Sequence, residues 1–117
     1  MNKERRKSLA EAVLAIWYIL NDIDESPFPY EIADNNLKAI EFLVHTALRD
    51  EKDTLWKMED RFWATDRYSR FQDAVDELDY ASDAIDEAKE CFERKDEKAA
   101  VKPLEFAKDC IENAINA

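Results

Sequence analysis

The sequence predicts an all-α fold, a single-domain antiparallel bundle of four to five amphipathic helices, and three observations carry that expectation. The 117-residue chain has no glycine and three prolines, so the punctuation of tight hairpins is missing while good helix formers abound. Apolar residues recur every three or four positions in separate segments, which gives each helix one buried face. The length suits one core, with about two-thirds of the unfolded surface buried on folding.

The first element is read from "SLAEAVLAIWYILNDI", where Leu9, Val13, Ile16, Leu20 and Ile23 share a face; Ser8 and Glu11 could form a capping box, although the pattern also allows an earlier start. It ends near Asp24, because Pro27 and Pro29 in "DESPFPY" hold the residues before them extended. A second helix fits "EIADNNLKAIEFLVHTALRD", with Ile32, Leu37, Ile40, Val44 and Ala47 or Leu48 inward. Glu51 and Lys52 fall where that register wants apolar groups, and Leu55, Met58 and Phe62 then resume it, so a kink or rotated continuation is expected there. Thr65 or Asp66 caps a third helix on Phe71, Val75, Leu78, Ser82, Ile85 and Phe92, with Ala74, Ala81 and Ala88 allowing a close neighbour. After the polar "ERKDEK", a last helix uses Leu104, Ala107, Ile111 and Ala114, with Pro103 tolerated only near its first turn.

The net charge is −11, made of +3 on residues 1–7 and −14 on the remainder. Four cations in a first helical turn oppose the helix dipole, so residues 1–7 are expected to fray, to pack on the acidic body or to meet a partner, fraying foremost. The acidity disfavours direct binding of nucleic acid or of anionic membranes and points to basic partners. Cys91 and Cys110 form no metal-type pair, and no apolar stretch is long enough for a signal peptide or a span, so the expectation is a cytoplasmic protein with reduced thiols buried beside their helix stripes.

The charge concentrates in "DAVDELDYASDAIDEAKE", residues 73–90, with eight carboxylates against Lys89 alone. Asp76, Asp79, Asp83, Asp86, Glu90 and Glu93 step by three and four residues and stack along one side of the third helix, away from its core stripe. Like-charged neighbours at this spacing cost about 0.2–0.5 kcal/mol per pair, which helices ordinarily relieve with interleaved lysine. Such a row is either a hydrated face or a set of anionic contacts for a groove lined by lysine and arginine, two readings of about equal weight. Trp56 and Trp63, seven residues apart, could supply apolar anchors beside it, although aromatics at helical spacing more often pad a core.

Signals for catalysis are sparse. His45 is the only histidine, with Glu41 one turn earlier, and no second histidine builds a zinc or di-metal site, so no metal or cofactor is expected. The pairs in "ECFE", "EAKE" and "EIAD" resemble those with which all-helical nucleotide pyrophosphatases hold magnesium; Glu87 and Glu90 would carry that chemistry, given inward placement.

The opening "MNKERRKSL" and the block "DRYSRFQDAVDELDYASDAIDEA" resemble segments of small acidic helical proteins carried by phages and mobile elements of Gram-positive bacteria. The resemblance implies an accessory protein of the anti-CRISPR or anti-defence kind and carries over no catalytic residue. The expected function is therefore non-enzymatic: an acidic monomer or homodimer that inhibits a host nucleic-acid-binding protein, such as an RNA-guided nuclease, by occupying its basic groove. The competing expectations are a helical structural or dimerising adaptor and, behind it, a magnesium-dependent pyrophosphatase.

Overall fold

The computed structural model describes residues 1–62 and 65–117, the side chains at 59–62 excepted. Among the described residues four helices form the fold: α1 (Lys3–Asp22), α2 (Tyr30–Phe62), α3 (Asp66–Glu93) and α4 (Val101–Asn116), with a 3-10 turn at Lys98–Ala100 leading into α4. The described residues contain no strand. Each helix packs on two others, in the cyclic order α1, α2, α3, α4 and back to α1. The molecule measures 54 × 22 × 17 Å, and its length is set by α2, whose 33 residues extend about 50 Å at 1.5 Å each.

The helix ends follow local chemistry. Asn2 caps α1 by accepting from the Arg5 amide at 2.8 Å, and Thr65 caps α3 by accepting from the Tyr68 amide at 3.2 Å. The basic opening segment is thus helical from Lys3, and Arg5 is held on the body of the protein by an ion pair with Glu51. Without glycine, α3 closes on Lys95, which takes the left-handed conformation at φ 58°. The Lys95 amide donates to Phe92 and the Asp96 amide to Cys91, at 3.0 and 2.9 Å, the paired bonds of a Schellman end. Pro103 is the third residue of α4, inside the first turn, where a missing N–H costs nothing.

One cluster forms the core. Leu9, Ile16, Ile40, Leu78, Ile85, Leu104 and Ile111 are wholly buried in it, each burial worth about 1.5–3 kcal/mol. Alanines fill the narrow contacts: Ala12, Ala81, Ala88, Ala107 and Ala114 have no exposed surface. The buried stripe of α1 is Leu9, Ala12, Ile16 and Ile19, continued by Ile23 at its C-cap, and Val13 and Leu20, expected on it, flank it half-buried. Ser82 is likewise half-buried on α3.

Two expectations for α2 are corrected. Ile32 points outward, 59 % exposed, and the small Ala33 takes the inward position. No break interrupts the helix at Glu51 and Lys52: one register of Ala33, Leu37, Ile40, Val44, Ala47 and Glu51 runs inward without interruption. Glu51 keeps its core position because Arg5 meets its charge there. The side chain of Phe62 lies outside the described residues.

Candidate functional site

α2 and α3 lie side by side and run in opposite directions, as their polar contacts show. Glu41 meets Lys89 at 3.4 Å, His45 Nε2 lies 2.8 Å from Ser82 Oγ, and Lys52 meets Asp79 at 3.3 Å. The partner number falls along α3 as it rises along α2. This seam sets the orientation of the acidic row, because buried Val75, Leu78, Ile85 and Phe92 fix the opposite side of α3 against the core.

Along the exposed side, Asp76, Asp83, Asp86 and Glu90 all face solvent, and none of them takes part in an ion pair within the described residues. Asp76 accepts from Gln72 Nε2 at 3.0 Å. Asp79 alone of the row is ion-paired, with Lys52, and both side chains remain about half exposed. Lys89, the one cation within the run, turns away to Glu41 on α2 and leaves the row uncompensated. Glu93 is exposed but set apart, because it lines a cleft of about 250 Å³ with Lys38, Lys89 and Lys95.

Trp56 follows Lys52 by one turn on α2 and is 78 % exposed, the most exposed of the large apolar side chains described. Helical spacing puts it on the flank of Lys52, and Lys52 reaches Asp79, so an unburied indole stands next to the anionic row. Phe42, fourteen residues earlier and 70 % exposed, shares the outer side of α2; the sequence reading passed over it. Its signal was the two-heptad spacing to Trp56. Trp63 lies outside the described residues.

Glu87 and Glu90 are exposed on α3, and among the described residues no three histidine, cysteine or acidic side chains stand together as a metal site. Cys91 and Cys110 are buried free thiols. Burial, followed by the neighbouring Glu77 carboxylate, pushes the Cys110 thiol up to about 12 and so disfavours a reactive thiolate. No described helix is long and apolar enough to cross a membrane.

The Lys52 contact with Asp79 escaped the sequence reading because it depends on the pairing of two helices. Comparison of the chain with protein-family models, with curated proteins and with solved structures finds no match.

Proposed function

We propose that the protein is a non-enzymatic acidic binding protein, an antiparallel four-helix bundle whose third helix enters the basic groove of a nucleic-acid-handling protein. An RNA-guided nuclease in the cytoplasm of a phage-infected host is the partner that the resemblance to mobile-element proteins favours. The observation that carries this reading is the exposed row Asp76, Asp79, Asp83, Asp86 and Glu90, in which, among the described residues, only Asp79 has a cationic partner, with Trp56 standing alongside. Carboxylates every turn present repeated anionic contacts as a phosphate strand does. Ion pairs at a solvated rim give little affinity, so the exposed indole is the anchor such a contact requires. The sequence reading names Glu93 and Trp63 with this surface; Glu93 sits apart in its own cleft, and Trp63 lies outside the described residues.

The test is inhibition of target cleavage by a panel of purified RNA-guided nucleases, and of DNA binding by other basic-groove proteins, at two salt concentrations. Inhibition that weakens with salt and disappears in the Asp76→Lys, Asp83→Lys, Asp86→Lys variant supports the reading, provided the helical circular-dichroism signal is unchanged. Inhibition retained by that variant overturns it.

A second reading, a self-associating adaptor, is favoured by one observation: Leu14, Trp17 and Tyr18 on α1 are each about half exposed, and the Trp17 and Tyr18 rings meet edge to face at 5.8 Å. Light scattering separates the two readings, since a dimer through α1 dissociates on Trp17→Ala and ignores the charge reversals.

A further inference from the structure

A cavity of about 490 Å³ opens at the end of the bundle where α1 and α3 begin, and Asn2, Arg5, Arg6, Arg67, Arg70 and Phe71 are among the residues that line it. Among the described residues, four arginines are gathered here, in a protein of net charge −11, and no described aspartate or glutamate is part of the wall. Arg5 is engaged by Glu51 behind the wall. Arg6, Arg67 and Arg70 take part in no ion pair within the described residues, although Glu4 and Asp66 stand in the first turns of the same two helices. Arg67 lies over the Phe71 ring at 5.9 Å.

Three unneutralised guanidinium groups converging on one space repel one another, and an anion removes that repulsion. The positive ends of the α1 and α3 dipoles add to the same field, and the negative end of α4, whose C-cap Ala117 also lines the space, opposes them in part. Guanidinium is planar and donates in a fork that fits phosphate oxygens in pairs. The volume falls within the range of small-molecule sites and exceeds what a single phosphate fills. A nucleic-acid strand would have to run from the cavity past the acidic body, which repels it.

We propose that this cavity binds a small molecule bearing two or more linked phosphate groups, held by Arg6, Arg67 and Arg70. The source is either free pyrophosphate or the phosphate chain of a nucleotide.

Isothermal titration of the full chain with pyrophosphate, ATP and orthophosphate at matched ionic strength tests this. Saturable one-to-one binding of pyrophosphate, tighter than that of orthophosphate, is expected; ATP tighter still identifies a nucleotide, and ATP equal to pyrophosphate identifies the phosphate chain alone. Arg67→Gln with Arg70→Gln, both on exposed side chains, should weaken binding by about ten-fold or more, whereas Arg49→Gln, remote on α2, should leave it unchanged. Arg6→Gln, on the other helix, gives the same loss and covers the case in which the double variant unfolds. Heat indistinguishable from added chloride, binding retained by both variants, or tighter binding of an oligonucleotide than of pyrophosphate overturns the proposal.

Discussion

Arg5 and Glu51, 46 residues apart, join α1 to α2: Arg5 Nη1 donates to Glu51 Oε1, and the carboxylate is wholly buried while the guanidinium keeps 23 % of its surface. Desolvating an ion costs several kcal/mol, and the partner offsets it, so removing one member leaves the cost exposed. Arg5→Met should therefore destabilise the fold by about 3–5 kcal/mol, whereas Arg5→Met combined with Glu51→Leu should recover most of the loss. Urea denaturation of the two variants checks this, and equal loss in both would show that the charge itself is not the issue.

Ile40 and Ile32 are the same residue on the same helix in opposite surroundings, 0 % and 59 % exposed. Truncating Ile40 to alanine leaves a void in the core and should cost about 2–5 kcal/mol. Ile32→Ala removes solvent-exposed surface, gains helix propensity and should lie within about 0.5 kcal/mol of the parent. Thermal unfolding of both distinguishes them, and a large loss at Ile32 would mean that its side is covered by another surface in solution.

The same pair illustrates how much of the fold was legible in the sequence. The all-helical class, the loop at Pro27 and Pro29 and the stripe of α3 followed from period and punctuation, because they depend on local chemistry. Ile32 against Ala33 was not legible: hydrophobicity favoured isoleucine, and the close packing that admits only a small residue is a property of the neighbouring helix. Glu51 read as a broken register because its partner is 46 residues away, near the start of the chain. The acidic row was legible from spacing alone, while the Lys52 contact to Asp79 and the assembly of Arg6 with Arg67 and Arg70 needed the helix pairing.

Lys95 occupies a backbone conformation that glycine fills at most helix ends, and its ammonium lies 4.4 Å from the centre of the Tyr30 ring. A non-glycine residue in the left-handed region costs about 1–2 kcal/mol, and the contact with the ring offsets part of that. Lys95→Ala keeps the backbone cost and loses the ring contact; Lys95→Gly loses both. The glycine variant should thus exceed the alanine variant in stability by about 1 kcal/mol, read from paired chemical denaturation curves. The reverse order would place the cost of this turn somewhere other than the backbone of residue 95.

The hydroxyl of Tyr30 donates to Glu97 Oε2 and ties the start of α2 to the turn before α4. That bond needs a protonated phenol and an ionised carboxylate. It pushes Tyr30 up to about 12 from 10.0, and the same bond holds Glu97 below its ordinary 4.5. A carboxylate whose folded value is depressed contributes stability above its unfolded value and loses it as pH falls through the lower folded one. A phenol whose folded value is raised retains its proton when the unfolded chain has lost it, so its contribution is full below about 10 and fades as pH rises towards 12. Tyr30→Phe deletes the bond and should lower Tm by a constant amount between about 4.5 and 10, with the two proteins converging on either side of that window. Melting curves of both across the pH range provide the check; a gap that stays constant into strong alkali would show that the hydroxyl stabilises the fold without its proton, contrary to the donor role assigned to it.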